Sequence, residues 1–303
     1  MPSQRPHLIC ATATPLDQDF TCRRDLLLGH CQDLLARGCD GIVLFGTTGE
    51  GPCLGVAERC SVLECLLDRG LSPANLIVAC GSASLADAIE LTRHALSMGV
   101  PRVLLMPPFF LRAAATEEGA FDFYAEIVER VGDPRLRLLL YHFPDITGVA
   151  LTVELVRRLR HAFEDVVLGV KDSGGDWQQT RAFLDAFPDL TVYTGTEVHA
   201  RRAIALGGAG TICGLANVIP QTLRRFIDAA EGDVEPWHDL IAAVDDALCV
   251  GPFLPACKAA IAVASGAKPW RRVLPPLSGL DDRACDQLAC TLRALADQYG
   301  ATM

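Results

Sequence analysis

Lysine is almost missing from this chain. Of 27 lysines and arginines, only Lys171, Lys258 and Lys268 are lysine, so arginine carries nearly all the positive charge. Arginine stays protonated and cannot serve as an amine nucleophile, whereas a lysine held out of water can lose its proton and attack a carbonyl. Basic excess is missing too: the net charge of -10 argues against a nucleic-acid footprint and against an anionic membrane surface. It leaves room for a small anionic substrate, because a local site can oppose the global sign. No CxxC spacing occurs among the thirteen scattered cysteines, and their number is odd. They read as reduced thiols of a cytoplasmic protein, not as a disulfide framework or a metal site. No apolar run approaches 18 residues and no cationic-plus-apolar leader opens the chain, so neither a membrane span nor a targeting segment is expected.

What the sequence has in quantity is a regular alternation. With 50% hydrophobic residues it can bury a large core. Short aliphatic runs at 8–12, 41–45, 75–80, 102–106, 136–141, 166–171, 191–193 and 210–213 read as buried strands. Between and after them lie segments of helical apolar spacing at 23–37, 56–68, 85–98, 116–131, 152–163, 176–187, 198–206 and 220–230. Eight strands, each followed by a helix, imply parallel pairing and predict an α/β fold, a (β/α)8 TIM barrel. A doubly wound open sheet is the alternative, but no GxGxxG follows the first strand. The barrel is expected over 1–232. A C-terminal helical extension packed on it is expected over 233–303, with helices at 235–248, 254–264 and 281–298.

Lys171 ends the run Val166-Val167-Leu168-Gly169-Val170 and is followed by Asp172-Ser173. Lysine is among the side chains least often buried, so its place at the end of such a run calls for a reason. The plain alternative is a strand-end lysine reaching for solvent. In barrels of this kind the active site lies at the C-terminal ends of the strands. Strand two ends in Gly46-Thr47-Thr48-Gly49-Glu50, where glycines admit close backbone approach and two hydroxyls can hold a carboxylate. Strand five ends in Tyr141-His142-Phe143-Pro144 and strand seven in Thr194-Gly195-Thr196-Glu197. A tyrosine and a lysine on neighbouring strands can pass protons to and from a forming imine. His142 is expected at the rim, set there by the strand. Glu197 and His199 are expected as solvated residues at a helix start, or as readers of substrate hydroxyls.

Taken together, GTTGEG at 46–51, YHFP at 141–144, GVKDS at 169–173 and YTGTE at 193–197 resemble the dihydrodipicolinate synthase / N-acetylneuraminate lyase family. The resemblance runs over nearly the whole chain, extension included. It implies a class I mechanism in which Lys171 forms a Schiff base with pyruvate or another 2-keto acid and Tyr141 relays protons. Thr47 and Thr48 would bind the carboxylate, with Thr48 also in hydrogen-bond contact with the tyrosine. Gly195 and Ile212 would line the same pocket. The imine nitrogen is itself an electron sink, so the resemblance implies no metal and no organic cofactor, and assembly as a homotetramer.

Departures from the pattern are informative. The synthase usually carries a Tyr-Tyr pair after strand four, whose second hydroxyl reaches a neighbouring subunit's site; here the residues are Phe109-Phe110. It also usually carries an arginine where this chain has Ile146. Losing that fixed cation removes a contact worth about 1.5–3 kcal/mol at a carboxylate. Neuraminate lyases usually have serine where Thr47 stands, whereas GVKDS followed by Gly-Asp looks more like the 2-keto-3-deoxy sugar-acid aldolases. The leading expectation is a carbon–carbon lyase, an aldolase that reversibly cleaves a 2-keto-3-deoxy acid to pyruvate and an aldehyde. Other readings are a dehydratase or deaminase working through the same imine, the synthase itself, and a non-enzymatic keto-acid-binding barrel.

Overall fold

Eight strands close into one parallel barrel in sequence order, β1 pairing with both β2 and β8. The computed structural model describes residues 5–229 and 234–301. The strands are β1 His7–Ala11, β2 Gly41–Leu44, β3 Leu76–Ala79, β4 Arg102–Leu105, β5 Arg137–His142, β6 Val167–Asp172, β7 Thr191–Thr194 and β8 Gly210–Cys213. Helices α1 Arg24–Ala36, α2 Val56–Asp68, α3 Leu85–Ser97, α4 Glu117–Val131, α5 Pro144–Thr147, α6 Val153–Ala162, α7 Trp177–Ala186, α8 Ala200–Ala205 and α9 Pro220–Asp228 follow the strands around the outside. Three more, α10 Glu235–Leu248, α11 Phe253–Ser265 and α12 Asp282–Tyr299, form the extension. The boundary expected between 232 and 233 lies outside the described residues, as does Ala230, the expected last residue of the eighth barrel helix.

Strand composition explains the layering. Side chains alternate across each strand. One set (Leu8, Cys10, Ile42, Leu44, Val78, Leu140, Val170) joins the large core under the helices. The other (Ile9, Val43, Ile77, Leu104, Leu139, Tyr141, Tyr193, Ile212) fills the barrel interior. Both faces are buried, so the strands read as continuous apolar runs instead of alternating ones. Helix starts follow local chemistry: the Thr116, Thr152 and Asp176 side chains accept from the backbone N–H of Gly119, Leu155 and Gln178. Each such cap is worth about 0.5–2 kcal/mol.

Two differences from the sequence expectation concern the rim. The segment after Phe143 forms the short helix α5. The helix expected from 198 begins as a 3₁₀ turn at Glu197–His199 before α8. At the opposite end of the barrel, His7 Nδ1 and the Tyr193 hydroxyl lie 2.8 Å apart and plug the interior. Burial pushes that phenol up to about 12.

Candidate active site

Register decides which side chains meet. In the β5–β6–β7 ladder Tyr141 pairs with Lys171, and Lys171 with Tyr193. Paired residues in adjacent parallel strands point to the same face, so Lys171 shares the barrel interior with Tyr141. Lys171 is only 3% exposed. It does not run out to water, and its Nζ lies 4.2 Å from the centre of the Tyr141 ring. Because Asp172 closes β6, the amine sits within the strand, one residue below the rim.

The loop after β2 brings the hydroxyls. Its glycines are set by close approach: a Cβ on Gly51 would stand 1.7 Å from the Phe45 carbonyl oxygen. The two ends of the Thr47-Thr48 pair carry left-handed backbone at non-glycine residues, Phe45 with φ 61° and Glu50 with φ 56°. Such conformations cost of order 1–3 kcal/mol each and persist where the surroundings over-determine them. The outcome is that Thr47, not Thr48, faces the tyrosine, with Thr47 Oγ1 and the Tyr141 hydroxyl 3.4 Å apart. This corrects the contact expected for Thr48. Thr48 turns toward the β8 loop, where its Oγ1 lies 3.1 Å from the position a Gly214 Cβ would take.

The remaining expected residues fall around this group. Ile212 is fully buried on the interior face of β8. Gly195 donates its N–H to the Asp172 carbonyl at 2.6 Å, and a Cβ there would stand 2.0 Å from the Ser173 Oγ, so a larger residue would force the serine hydroxyl to turn away. His142 and Asp172 point outward, away from Lys171. The His142 Nδ1 accepts from Leu151 N–H at 3.0 Å, and its ring packs edge-on against Phe183. Burial lowers the His142 pKa, with Asp172 opposing. Asp172 accepts from the Thr180 hydroxyl at 2.6 Å and from Gly174 N–H at 2.9 Å. These two residues tie the β5 and β6 ends to the helix layer.

Glu197 is half-buried, not the freely solvated residue expected from sequence. Its Oε1 accepts from Leu215 N–H at 3.2 Å. Burial, aided by the Asp245 carboxylate of α10, pushes its carboxyl up from 4.5 to about 7. Between those two values the folded protein holds a proton that the unfolded chain has lost. Stability therefore falls as pH rises through that window, by up to about 3 kcal/mol. Glu197→Gln keeps an acceptor for Leu215 and carries no charge. We expect it to raise the melting temperature above pH 7 and to flatten the decline below it; a slope equal to the parent's would refute this.

Sequence reasoning missed Lys258. Its Nζ donates to Glu50 Oε1 at 2.6 Å, with side-chain exposures of 0% and 2%. The rarity of lysine, which singled out Lys171, applied equally to it. A separate groove of about 670 Å3 lies outside the barrel between α1, α11 and α12, lined by residues such as Leu26, Ile261, Trp270 and Leu292. It contains none of the residues around Lys171.

Comparison with known proteins identifies the family and the fold. The model of the dihydrodipicolinate synthetase family matches residues 5–295. The chain belongs to this family. Its family relatives include a DapA-like lyase of Chloroflexus aurantiacus, 34% identical over 258 residues, which are 84% of this chain and 85% of the relative. Among solved family structures, dihydrodipicolinate synthase from Agrobacterium tumefaciens superposes with a TM-score of 0.87 at 33% identity, covering 95% of this chain and 98% of the other. The Escherichia coli prophage protein YagE, solved in complex with pyruvate, gives 0.86 at 25% identity, covering 99% and 100%.

Proposed function

We propose that this member of the family is a class I lyase that reversibly cleaves a 2-keto-3-deoxy acid to pyruvate and an aldehyde. The observation that carries the reading is the buried Lys171 amine against the Tyr141 ring, with the Thr47 hydroxyl beside the phenol. In its neutral form the amine adds to the C2 ketone, and loss of water gives an iminium. Removal of the C4 hydroxyl proton then breaks the C3–C4 bond, and the electron pair moves to the iminium nitrogen. The aldehyde leaves, the enamine is protonated at C3, and water releases pyruvate and restores the amine. Tyr141 is the group placed to carry these protons, Thr47 completes its contact, and Thr47, Thr48 and the loop N–H groups bind the carboxylate. Gly195 and Ile212 shape the wall of the pocket.

The aldehyde side differs from that expected of the synthase. Ile146 is 48% exposed and Phe110 78% exposed, and neither offers a charge or a hydroxyl. That favours an aldehyde without the synthase substrate's carboxylate. A homotetramer and a cytoplasmic location belong to the same proposal. All thirteen cysteines are free thiols, and no single helix among the described residues is long and apolar enough to cross a membrane.

The test is reduction with borohydride in the presence of pyruvate. We expect a pyruvyl adduct on the peptide containing Lys171 and loss of activity in proportion to it. Active protein left unmodified at Lys171 would overturn the reading.

A further inference from the structure

The extension reaches the carboxylate-binding loop at one side chain. Glu50, two residues beyond Thr48, accepts from Lys258 Nζ of α11 through Oε1 and from Leu274 N–H through Oε2 at 2.5 Å. Those partners are 208 and 224 residues away in sequence. The backbone of Glu50 in turn donates to the Thr47 carbonyl at 3.0 Å. On the loop's other side, the Thr14 hydroxyl donates to the Gly49 carbonyl at 2.7 Å. The left-handed conformation of Glu50 is thus gripped from the extension and from the end of β1.

A buried ion pair is a poor way to gain stability alone. Desolvating two charges costs about as much as their attraction returns, and well-packed apolar side chains often serve as well or better. What a charged pair adds is direction: a short, charge-assisted contact fixes one oxygen relative to one nitrogen. Here that fixed point lies next to the threonine pair and within a strained turn. The same helix also touches the β8 loop, where Phe253 packs on Gly214, the glycine that Thr48 faces.

Resting on the function proposed above, we propose that Lys258 is a positioning residue that, through its ion pair with Glu50, holds the Thr47-Thr48 loop in the conformation that binds the keto acid's carboxylate. The extension is therefore part of the binding machinery, although none of its groups need touch the substrate. Lys258 meets the reaction only through Glu50 and the loop.

The test uses the full chain with Lys258→Met and Glu50→Gln combined, which leaves neither charge buried alone and keeps an acceptor for Leu274. Three quantities are read: melting temperature, the pyruvate concentration giving half-maximal borohydride labelling of Lys171, and amide exchange of the segment 46–51. We expect a melting temperature near the parent's, half-maximal labelling shifted upward by about tenfold or more, and unchanged labelling at saturation. Exchange should be faster in 46–51 and unchanged in the barrel strands. A double variant with the parent's half-maximal concentration and loop exchange overturns the proposal, whatever its melting temperature. A parent protein that is not labelled removes the imine reading and this proposal with it, which is a distinct result. Should the double variant fail to fold, Glu50→Gln alone decides by the same readouts, with the same directions expected.

Discussion

Lys171→Arg is expected to lower kcat/KM by on the order of 10⁴–10⁶-fold and to end labelling by pyruvate and borohydride. That corresponds to about 5.5–8 kcal/mol of lost transition-state stabilisation. Arginine keeps the positive charge but cannot present a neutral amine, so the substitution separates nucleophilicity from charge. Lys171→Met removes the charge while keeping an unbranched side chain of comparable reach, and it should be equally inactive. With Lys171 only 3% exposed and shared between the β5 and β7 ladders, circular dichroism and melting are needed beside the kinetics. A folded arginine variant retaining more than about one per cent of activity would be incompatible with imine chemistry at this position.

Tyr141→Phe is the second large effect. General acid–base groups contribute about 10²–10⁴-fold, and kcat should fall by that range. The ring remains to pack against Phe143 at 5.8 Å and to shape the wall beside Lys171. Among the described residues the only side-chain hydrogen bond removed is the 3.4 Å approach to Thr47, so melting should change little. Unlike the lysine variants, this one should still be labelled by pyruvate and borohydride, only more slowly. A fall in kcat of less than about threefold would take Tyr141 out of proton transfer. Thr47→Val, which leaves the phenol without that partner, should reproduce part of the loss, whereas Thr48→Val should not act through the tyrosine.

The barrel was readable because a parallel sheet covered on both faces writes its strands as unbroken apolar runs, such as Leu76–Ala79, and its helices with capping residues. Lys171 was readable for the converse reason: a charged residue interrupts such a run. Lys258 was not, because its partner Glu50 lies 208 residues away and spacing along a chain carries no distance across a fold. The threonine pair shows a finer limit. Adjacent residues on a turn point in different directions, and the choice of Thr47 to face Tyr141 goes with left-handed backbone at Phe45 and Glu50, residues whose type does not announce it. Glu197 looked like a solvated helix start because the burial that chiefly raises its pKa comes from the folded packing, and the acid that adds to it, Asp245, belongs to a helix of the extension. Helix α5 escaped notice since four residues, Pro144–Thr147, carry no periodicity.

Lysine's scarcity also has a practical side. Lys171 and Lys258 are buried, whereas Lys268 stands open at the surface in the short 3₁₀ stretch Lys268–Arg271. Among the three lysines, an acylating dye applied to the native protein should therefore couple at Lys268 and spare both interior amines, so that a digest shows one modified lysine peptide.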